Sequence, residues 1–557
     1  MSAVDNQSLP AEPALKACLP SLSSTSCRRA IGQGIALLVI ALVYLYRLDR
    51  PLLWGDEADT GIAARNILRC GYPLEYDGRN LSVFQNGAEL NQSLVRIKVS
   101  WVQFYLGAVS LGLFGNHTGG LRVLFALVGV LAFFPLHAIL KSRVKCPAFI
   151  TTLILTAPQI VLFQRNARYY PILILLYAVL LWLVSGNLKR ARVRWVITPL
   201  VLVFMFHTQS FAALCCGVSL VAFSALFDRK SLFLYSASAG LGFLSWIAWR
   251  AMLGPPIGKA ALPISLIASD AEAWLRSFGA GLLATIVDLD VVNCFPILLW
   301  IAALAVLFWR GGRSTVLDML KQPLFALILI NILIQAVATA ALFGSETGTH
   351  YALLRYLPHL LVFALASGFV VLDAAIPSRR LYLPVCLAAV SVNLFSFSFW
   401  AKPFSREVQL SWYPPVYSEV FKPPVNPWDV VVAKIRQETP ADHNRDCVIA
   451  GLPAWTAEVL IFYLGDSYLI PPPLDEAGQQ SVRTIIGEES FRRFCAQPEW
   501  IVDMLGFLET APPGYVTHTV VPSYRARPDD GTRPELTRHT FPRRSVVGHV
   551  NVFRVQR

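Results

Sequence analysis

Residues Leu48 to Gly71, LDRPLLWGDEADTGIAARNILRCG, follow the first long apolar segment and are the first place where the chain turns polar again. If the flanking segments span a bilayer, the adjacent acids Asp56 and Glu57 fall at its surface. Two readings of the pair stand side by side. Asp56 sits where a helix N-cap belongs, Asp59 follows three residues on, and Thr60 to Arg69 is helix-competent. The carboxylates can then simply satisfy the orphan N–H groups of a first turn. Alternatively, a carboxylate held by a short rigid helix at the lipid surface can take a proton from an acceptor hydroxyl while a lipid-borne substrate lies beside it.

Composition decides the setting of that stretch. The 557-residue chain is 55% hydrophobic and only 15% charged, with a mean hydropathy of +0.52, which is too apolar for a soluble enzyme and marks a polytopic membrane protein. The formal charge of +13 does not point to nucleic acid. Its basic residues gather in short loops between apolar runs, at Arg28-Arg29, Lys141 to Lys145, Lys189 to Arg194, Asp228-Arg229-Lys230, Arg310 to Arg313 and Arg379-Arg380, a pattern that fixes orientation in a membrane. Residues 1–29 form a cytoplasmic tail without the layout of a cleavable signal, so the first apolar segment is expected to be kept as a helix. The cysteines follow no metal spacing, and only Cys447 and Cys495 make a disulfide candidate.

Runs long enough to cross ~30 Å of hydrocarbon occur near 31–47, 119–140, 147–164, 170–186, 194–208, 210–227, 231–252, 286–309, 323–343, 356–374 and 381–400, about eleven crossings in all. The further run Val99 to Phe114 is settled by charge: if it crossed, every later basic loop would fall outside, so it is read as a non-crossing helix on the outer face. With that parity the N-terminus is cytoplasmic. The loop 48–118, Arg165 to Tyr169, the turn at His207 to Gln209, the segment 253–285, Gly344 to Arg355 and everything beyond 400 then face out. Within 401–557, strand-like runs at Asp446 to Leu452, Trp500 to Met504, Tyr515 to Val521 and His549 to Val555 alternate with helical stretches near 428–438, 454–464 and 479–495. These predict a small extracytoplasmic α/β domain, either handling an acceptor or serving as a passive lid.

Four motifs in order carry a family resemblance: Trp54-Gly55-Asp56-Glu57-Ala58 with Ala64-Arg65 and Gly71 behind it; Gln103-Phe104-Tyr105-Leu106 leading to Leu113-Phe114-Gly115 and Leu121-Arg122; Gln164-Arg165-Asn166-Ala167-Arg168-Tyr169-Tyr170-Pro171; and Arg355-Tyr356-Leu357-Pro358. Over residues 30–400 the chain resembles the C-type (GT-C) integral-membrane glycosyltransferases, in the bacterial branch related to protein O-mannosyltransferases and lipid A aminoarabinose transferases. That resemblance implies an α-helical membrane domain at 30–400 and a cell inner-membrane location. It also implies a donor sugar carried on a polyprenyl phosphate and an acceptor hydroxyl on lipid, glycan or protein. Transfer would proceed with inversion, Asp56 serving as the base and Glu57 as its hydrogen-bonding or metal-binding partner. The leaving phosphate needs fixed cations, and the candidates are Arg168 and Arg355, followed by Arg165 and His350.

Two departures from the family pattern leave points open. Where relatives carry a Lys-Pro-Pro-Leu type segment this chain has Asn91 to Lys98, so donor identity stays open, with Arg96 or Lys98 available as the missing cation. Tyr169 and Tyr170 stand where some relatives carry another acid and read as interfacial belt aromatics. A magnesium or manganese ion would find only Asp56, Glu57 and Glu346 as oxygen ligands. His207 matches a family histidine but equally fits a helix-end cap or an interfacial group. Two rival readings are a lipid-linked-sugar flippase, which needs ionisable residues in mid-span where the chain offers only Asp288 and Asp290, and a non-catalytic scaffold that presents the C-terminal domain.

Overall fold

The computed structural model describes residues 24–50, 52–83, 87, 89–97, 101–185, 191–257, 272, 275, 278–279, 297–343, 358–391, 420–421, 427–439, 446–452, 456–503, 508, 510–525 and 546–556. The chain opens with α1 (Ser24–Leu45), α2 (Gly55–Cys70) and α3 (Val102–Phe114). The bundle continues with α4 (Thr118–Leu131), α5 (Phe133–Leu140), α6 (Pro147–Leu155), α7 (Pro158–Gln164), α8 (Tyr170–Val184), α9 (Ala191–Phe206), α10 (Ser210–Phe227) and α11 (Leu232–Leu253). It is completed by α12 (Ile297–Leu320), α13 (Pro323–Phe343), α14 (Pro358–Ala375) and α15 (Arg379–Ser391).

Prolines set most of the breaks. Pro147, Pro158 and Pro171 each stand in the first turn of a helix, where the missing N–H costs nothing. The predicted span 147–164 is therefore cut in two at Ala157, which precedes Pro158 and is extended (ψ 135°). Pro135 interrupts the ladder between α4 and α5 for the same reason. Among the described residues four helices are long and apolar enough to cross a membrane, and the α12–α13 pair, bent by 69°, makes a fifth. Of the other predicted crossings in this integral membrane protein, 147–164 is broken into α6 and α7, 170–186 and 194–208 hold helices of 15 and 16 residues, and 286–296 and 392–400 lie outside the described residues. Asp288 and Asp290 lie outside the described residues. At 13 residues α3 is roughly 20 Å long, short of the hydrocarbon thickness.

The C-terminal region forms helices α16 (Pro427–Glu438), α17 (Thr456–Leu464), α18 (Glu476–Ile486) and α19 (Glu488–Phe494). They accompany strands β1 (Ile449–Leu452), β2 (Trp500–Asp503), β3 (Tyr515–Arg525) and β4 (Val546–Val555), in the sheet order β1-β2-β4-β3. β1 and β2 are parallel and the remaining pairs antiparallel. Cys447 and Cys495 are both free, Cys447 buried and Cys495 exposed, so the anticipated disulfide is absent.

Two large hydrophobic cores organise the described residues, beside a smaller third cluster that includes Leu81, Leu94, Val448 and Phe491. One fills the helix bundle from Ile40 and Tyr44 of α1 to Phe363 and Phe369 of α14. The other joins Ala58 and Ile62 of α2, Phe104 of α3 and Leu121 of α4 to Leu460 of α17, Trp500 of β2 and Val552 of β4. The C-terminal domain thus shares a core with the first outer loop. Asn80 fastens the two further: its amide donates to the carbonyls of Gly465 (2.8 Å) and Tyr468 (3.0 Å), and its oxygen accepts from Ile470 N–H (2.7 Å).

Helices α2 and α17 pack together at Gly61, where a Cβ would run into the Phe462 ring. Gly61→Val is expected to cost about 1–3 kcal/mol by overpacking, read as a lower Tm of the detergent-solubilised protein. Gly34→Ala in α1, where a Cβ meets nothing within 4 Å, leaves Tm unchanged or slightly raised.

Candidate active site

Helix α2 begins two residues earlier than the capping argument expects. Trp54, extended at φ −90° and ψ 170°, is the N-cap, and its carbonyl accepts from Glu57 N–H (3.0 Å) and Ala58 N–H (2.9 Å). Asp56 and Glu57 lie inside the first turn, so neither carboxylate is the cap. The other end closes as expected on Gly71 at φ 84°, the left-handed conformation that glycine adopts freely.

Adjacent helical residues point away from each other, whereas residues three apart share a face. Glu57 accordingly leaves Asp56 and runs into the protein. It is fully buried and forms a two-point ion pair with Arg122 of α4, 2.8 Å to Nε and 2.5 Å to Nη2, while accepting from Ala167 N–H at 2.8 Å. Trp54 Nε1 donates to Asn166 Oδ1 at 2.9 Å. The tryptophan and the glutamate of the Trp-Gly-Asp-Glu motif therefore grip the loop 165–169, and that grip delivers Arg168. Glu57 is a positioning residue rather than a partner of Asp56. With its oxygens committed to a guanidinium it does not fit a metal site shared with Asp56. Among the described residues no group of three or more His, Cys, Asp or Glu side chains is arranged to hold a metal ion.

Asp56 and Asp59, one turn apart, share Arg168: Nη2 lies 3.3 Å from Asp56 Oδ2 and Nη1 lies 3.7 Å from Asp59 Oδ2. Arg168 Nη1 also donates to the Asp56 carbonyl at 3.0 Å. Burial opposes the Arg168 charge, but Asp56 and Asp59 hold its pKa above the usual arginine value. Arg168 Nε is buried with no hydrogen-bond partner. The Asp56 side chain is 17% exposed against 4% for Asp59, so of the two acids only Asp56 is open to an incoming group.

Behind this pair lies an acidic layer that sequence reasoning missed. The segment 72–97 folds back on itself through bridges Leu74↔Val95 and Leu90↔Arg96, which turns Glu75, Glu89 and Arg96 inward, all nearly fully buried. Arg96 binds Asp59 through Nη2 and Glu75 Oε1 through Nε at 2.7 Å. Burial works against the Arg96 charge, yet Asp59, Glu75 and Glu89 together keep its pKa high. Arg96 is thus already committed to carboxylates. Burial pushes Glu75 up to about 8 against the pull of Arg96 and raises Asp59 against Arg96 and Arg168. Glu458 of α17, also buried, completes the layer from the C-terminal domain; burial and the nearby Asp59 push its carboxyl far upward. A lone acid in the apolar run Thr456–Leu464 was the available signal.

The remaining candidates fall elsewhere. Arg165 donates to the carbonyls of Val43 (2.7 Å), Tyr44 (3.2 Å) and Arg47 (3.3 Å). It closes the end of α1, and burial lowers its pKa to about 10. Tyr169 and Tyr170 are buried at 5% and 1% exposure and pack with ring centroids 4.5 Å apart, so they are core residues and not a membrane belt. His207 accepts from Trp101 Nε1 at 2.8 Å on the wall of a separate apolar cavity of about 840 Å³ that Tyr105 and Trp249 also line. Lys98, Glu346, His350 and Arg355 lie outside the described residues.

No family model and no curated protein matches the chain. Among solved structures it is similar to ArnT from Cupriavidus metallidurans bound to undecaprenyl phosphate, at 12% identity over 95% of this chain and 98% of that one, with a TM-score of 0.49. It is also similar to the Archaeoglobus fulgidus oligosaccharyltransferase in complex with zinc and sulfate (12% identity, 85% and 67% covered, TM-score 0.47). A third is the archaeal oligosaccharyltransferase AglB from the same organism with an inhibitory peptide and a dolichol-phosphate (12%, 86% and 70%, 0.45). These neighbours are glycosyltransferases of the type that the sequence motifs resemble, and at such identities and scores the functional argument rests on the residues of the site.

Two measurements probe this arrangement. Glu57→Ala strands the buried Arg122 charge and is expected to destabilise the protein by about 3–5 kcal/mol, whereas Asp56→Asn, at a partly open position, shifts Tm little. Unfolded, Glu75 ionises near its ordinary 4.5, while folded it keeps its proton to about 8. The folded state therefore binds more protons in that window, and stability falls as pH rises through it. Thermal melts between pH 5 and 8.5 are expected to show Tm declining, with a shallower decline in Glu75→Gln.

Proposed function

We propose that the chain is a glycosyltransferase of the cell inner membrane that moves a sugar from a polyprenyl-phosphate donor to a hydroxyl on an extracytoplasmic lipid, glycan or protein. Its N-terminus is cytoplasmic and its C-terminal domain lies outside. The observation that supports this reading is the pairing of Asp56, the most open acid of its helix face, with Arg168 at 3.3 Å. A base and an anion-binding group thereby meet at one point.

In this reaction the acceptor hydroxyl gives its proton to Asp56 as its oxygen attacks the anomeric carbon. The bond from that carbon to the phosphate oxygen breaks, and the electron pair leaves with the phosphate on the opposite face, giving inversion. Arg168 stabilises the departing phosphate through its guanidinium, where Nε has an N–H without a partner. As phosphate draws Arg168, the ion pair with Asp56 weakens and the carboxylate is released to act as base. Arg355, His350 and Lys98 remain proposed further cations for the same phosphate.

Asp56→Asn is expected to lower kcat by about 10²–10⁴ in membranes supplied with a polyprenyl-phosphate sugar, while the variant folds and binds the donor. Wild-type protein that consumes donor releases free polyprenyl phosphate, an outcome that neither a flippase nor a scaffold produces. Full activity of Asp56→Asn contradicts the assignment.

A further inference from the structure

Two of the basic loops, read in sequence only as markers of orientation, are brought together by the fold. Arg194, in the first turn of α9, donates through Nη2 to Ser231 Oγ at 3.4 Å. Ser231 ends the 3₁₀ turn Arg229–Ser231 that leads into α11. Arg194 is half-buried, and Arg192, Arg229 and Lys230, each within two residues of this contact along the chain, are exposed. Among the described residues none of the four makes an ion pair, not even with the adjacent Asp228. Other cations at this end of the bundle are already engaged: Lys145 pairs with Asp373 at 3.2 Å, and Arg143 and Arg310 donate to the carbonyls of Ile139 and Ala375. The seam behind Arg194 also stays polar. Arg194 meets Ser231, and Leu202 and Phe206 meet Gly242, so α9 and α11 run side by side in the same direction and Thr198 falls level with Tyr235 and Ser238. These three are buried at 1% exposure or less, and their hydroxyls and Arg194 Nε have no hydrogen-bond partner. Between membrane helices such groups are costly to leave unmatched. Facing outward, Trp195 and Phe233 pack with ring centroids 6.0 Å apart at 46% and 73% exposure, an apolar shelf next to the cations.

We propose that this end of the α9–α11 pair is a seat for the headgroup of an anionic glycerophospholipid, with Arg194 gripping its phosphate. A guanidinium offers a phosphate two parallel N–H donors, whereas the hydrogen bond that Arg194 makes here is a long one to a neutral hydroxyl. Arg192, Arg229 and Lys230 supply the surrounding charge, each basic group near an anionic surface contributing about 1 kcal/mol. The shelf of Trp195 and Phe233 receives the start of the acyl chains, and the seam hydroxyls offer donors to glycerol and ester oxygens that enter it. A free phosphate ion satisfies the cations but gains nothing from the shelf, which assigns the seat to a lipid. The seat lies at the basic end of the bundle, the cytoplasmic face in the orientation proposed above. The length of α9, 16 residues or roughly 24 Å, separates it from His207 at the opposite end. It is therefore distinct from the Asp56 site, and its occupant is neither donor nor acceptor but a lipid that links α9 to α11.

The test titrates full-length, detergent-solubilised protein with phosphatidylglycerol, phosphatidylcholine or inorganic phosphate and reads bound lipid by native mass spectrometry. The wild type is expected to bind one phosphatidylglycerol at least about tenfold more tightly than phosphatidylcholine, and inorganic phosphate does not displace it. The double variant Arg194→Gln/Arg229→Gln weakens phosphatidylglycerol binding about thirtyfold, the equivalent of about 2 kcal/mol, and leaves phosphatidylcholine binding unchanged. Arg194→Lys, which keeps the charge but not the two-donor edge, weakens it about fivefold and decides the matter if the double variant fails to fold. Arg379→Gln/Arg380→Gln removes the same charge from another basic loop and stays within about threefold of the wild type. Four results overturn the proposal: equal affinity of the wild type for the two lipids, an unchanged Kd in Arg194→Lys and the double variant, an equal loss in the Arg379/Arg380 control, or displacement of the lipid by inorganic phosphate at the same affinity. No donor turnover enters these readouts, so the outcome is independent of the glycosyltransferase reading.

Discussion

The buried pair of Glu57 and Arg122, with Ala167 N–H as a third contact, is the interaction on which the rest of the site depends. Glu57 starts on α2, Arg122 belongs to α4, and Ala167 sits in the loop before α8, so one carboxylate ties three separate parts of the chain at one end of the bundle. A buried ion pair is a weak source of net stability, because desolvating both ions consumes most of their attraction. Its value here is geometric. Removing either ion strands the other, so the three elements are held to one arrangement, and the arginine next to Ala167 arrives beside Asp56.

From that fixed point the division of labour among the acids follows helical geometry. Asp56 and Asp59 share a face and therefore share Arg168, whereas Glu57 belongs to the interior. Burial then separates Asp56 from Asp59: one carboxyl remains partly open and able to accept a proton, while the other is enclosed by Arg96 and the folded-back segment. The C-terminal domain packs on this enclosure with a continuous hydrophobic core and supplies Glu458.

Much of this was legible in the sequence. Apolar runs located the helices, because nothing but burial or lipid accommodates such segments, and short strand-like runs between helical stretches located β1 to β4. The importance of the Trp-Gly-Asp-Glu stretch and of Arg168 was also readable. The partner of Glu57 was not, since Arg122 lies 65 positions away and no local pattern couples them. Asp59 could have been found from its spacing to Asp56, but it read equally well as a first-turn acid favoured by the helix dipole. Arg165 and Arg168 look alike in sequence, and only the fold shows that one closes α1 while the other reaches the acids. Glu75 and Glu89 escaped notice because a segment without periodicity gives no sign of which side chains it turns inward.

The central claim is that Asp56 and an anionic phosphate meet at the same guanidinium of Arg168. The most direct measurement is the Kd of purified protein for polyprenyl phosphate in two variants, Asp56→Asn and Arg168→Ala. The account predicts effects of opposite sign: Asp56→Asn binds as tightly as the wild type or more tightly, because a competing negative charge is gone, and Arg168→Ala binds at least about tenfold more weakly, a loss of about 1.4 kcal/mol. Unchanged binding by Arg168→Ala, or equal weakening in both variants, would contradict it.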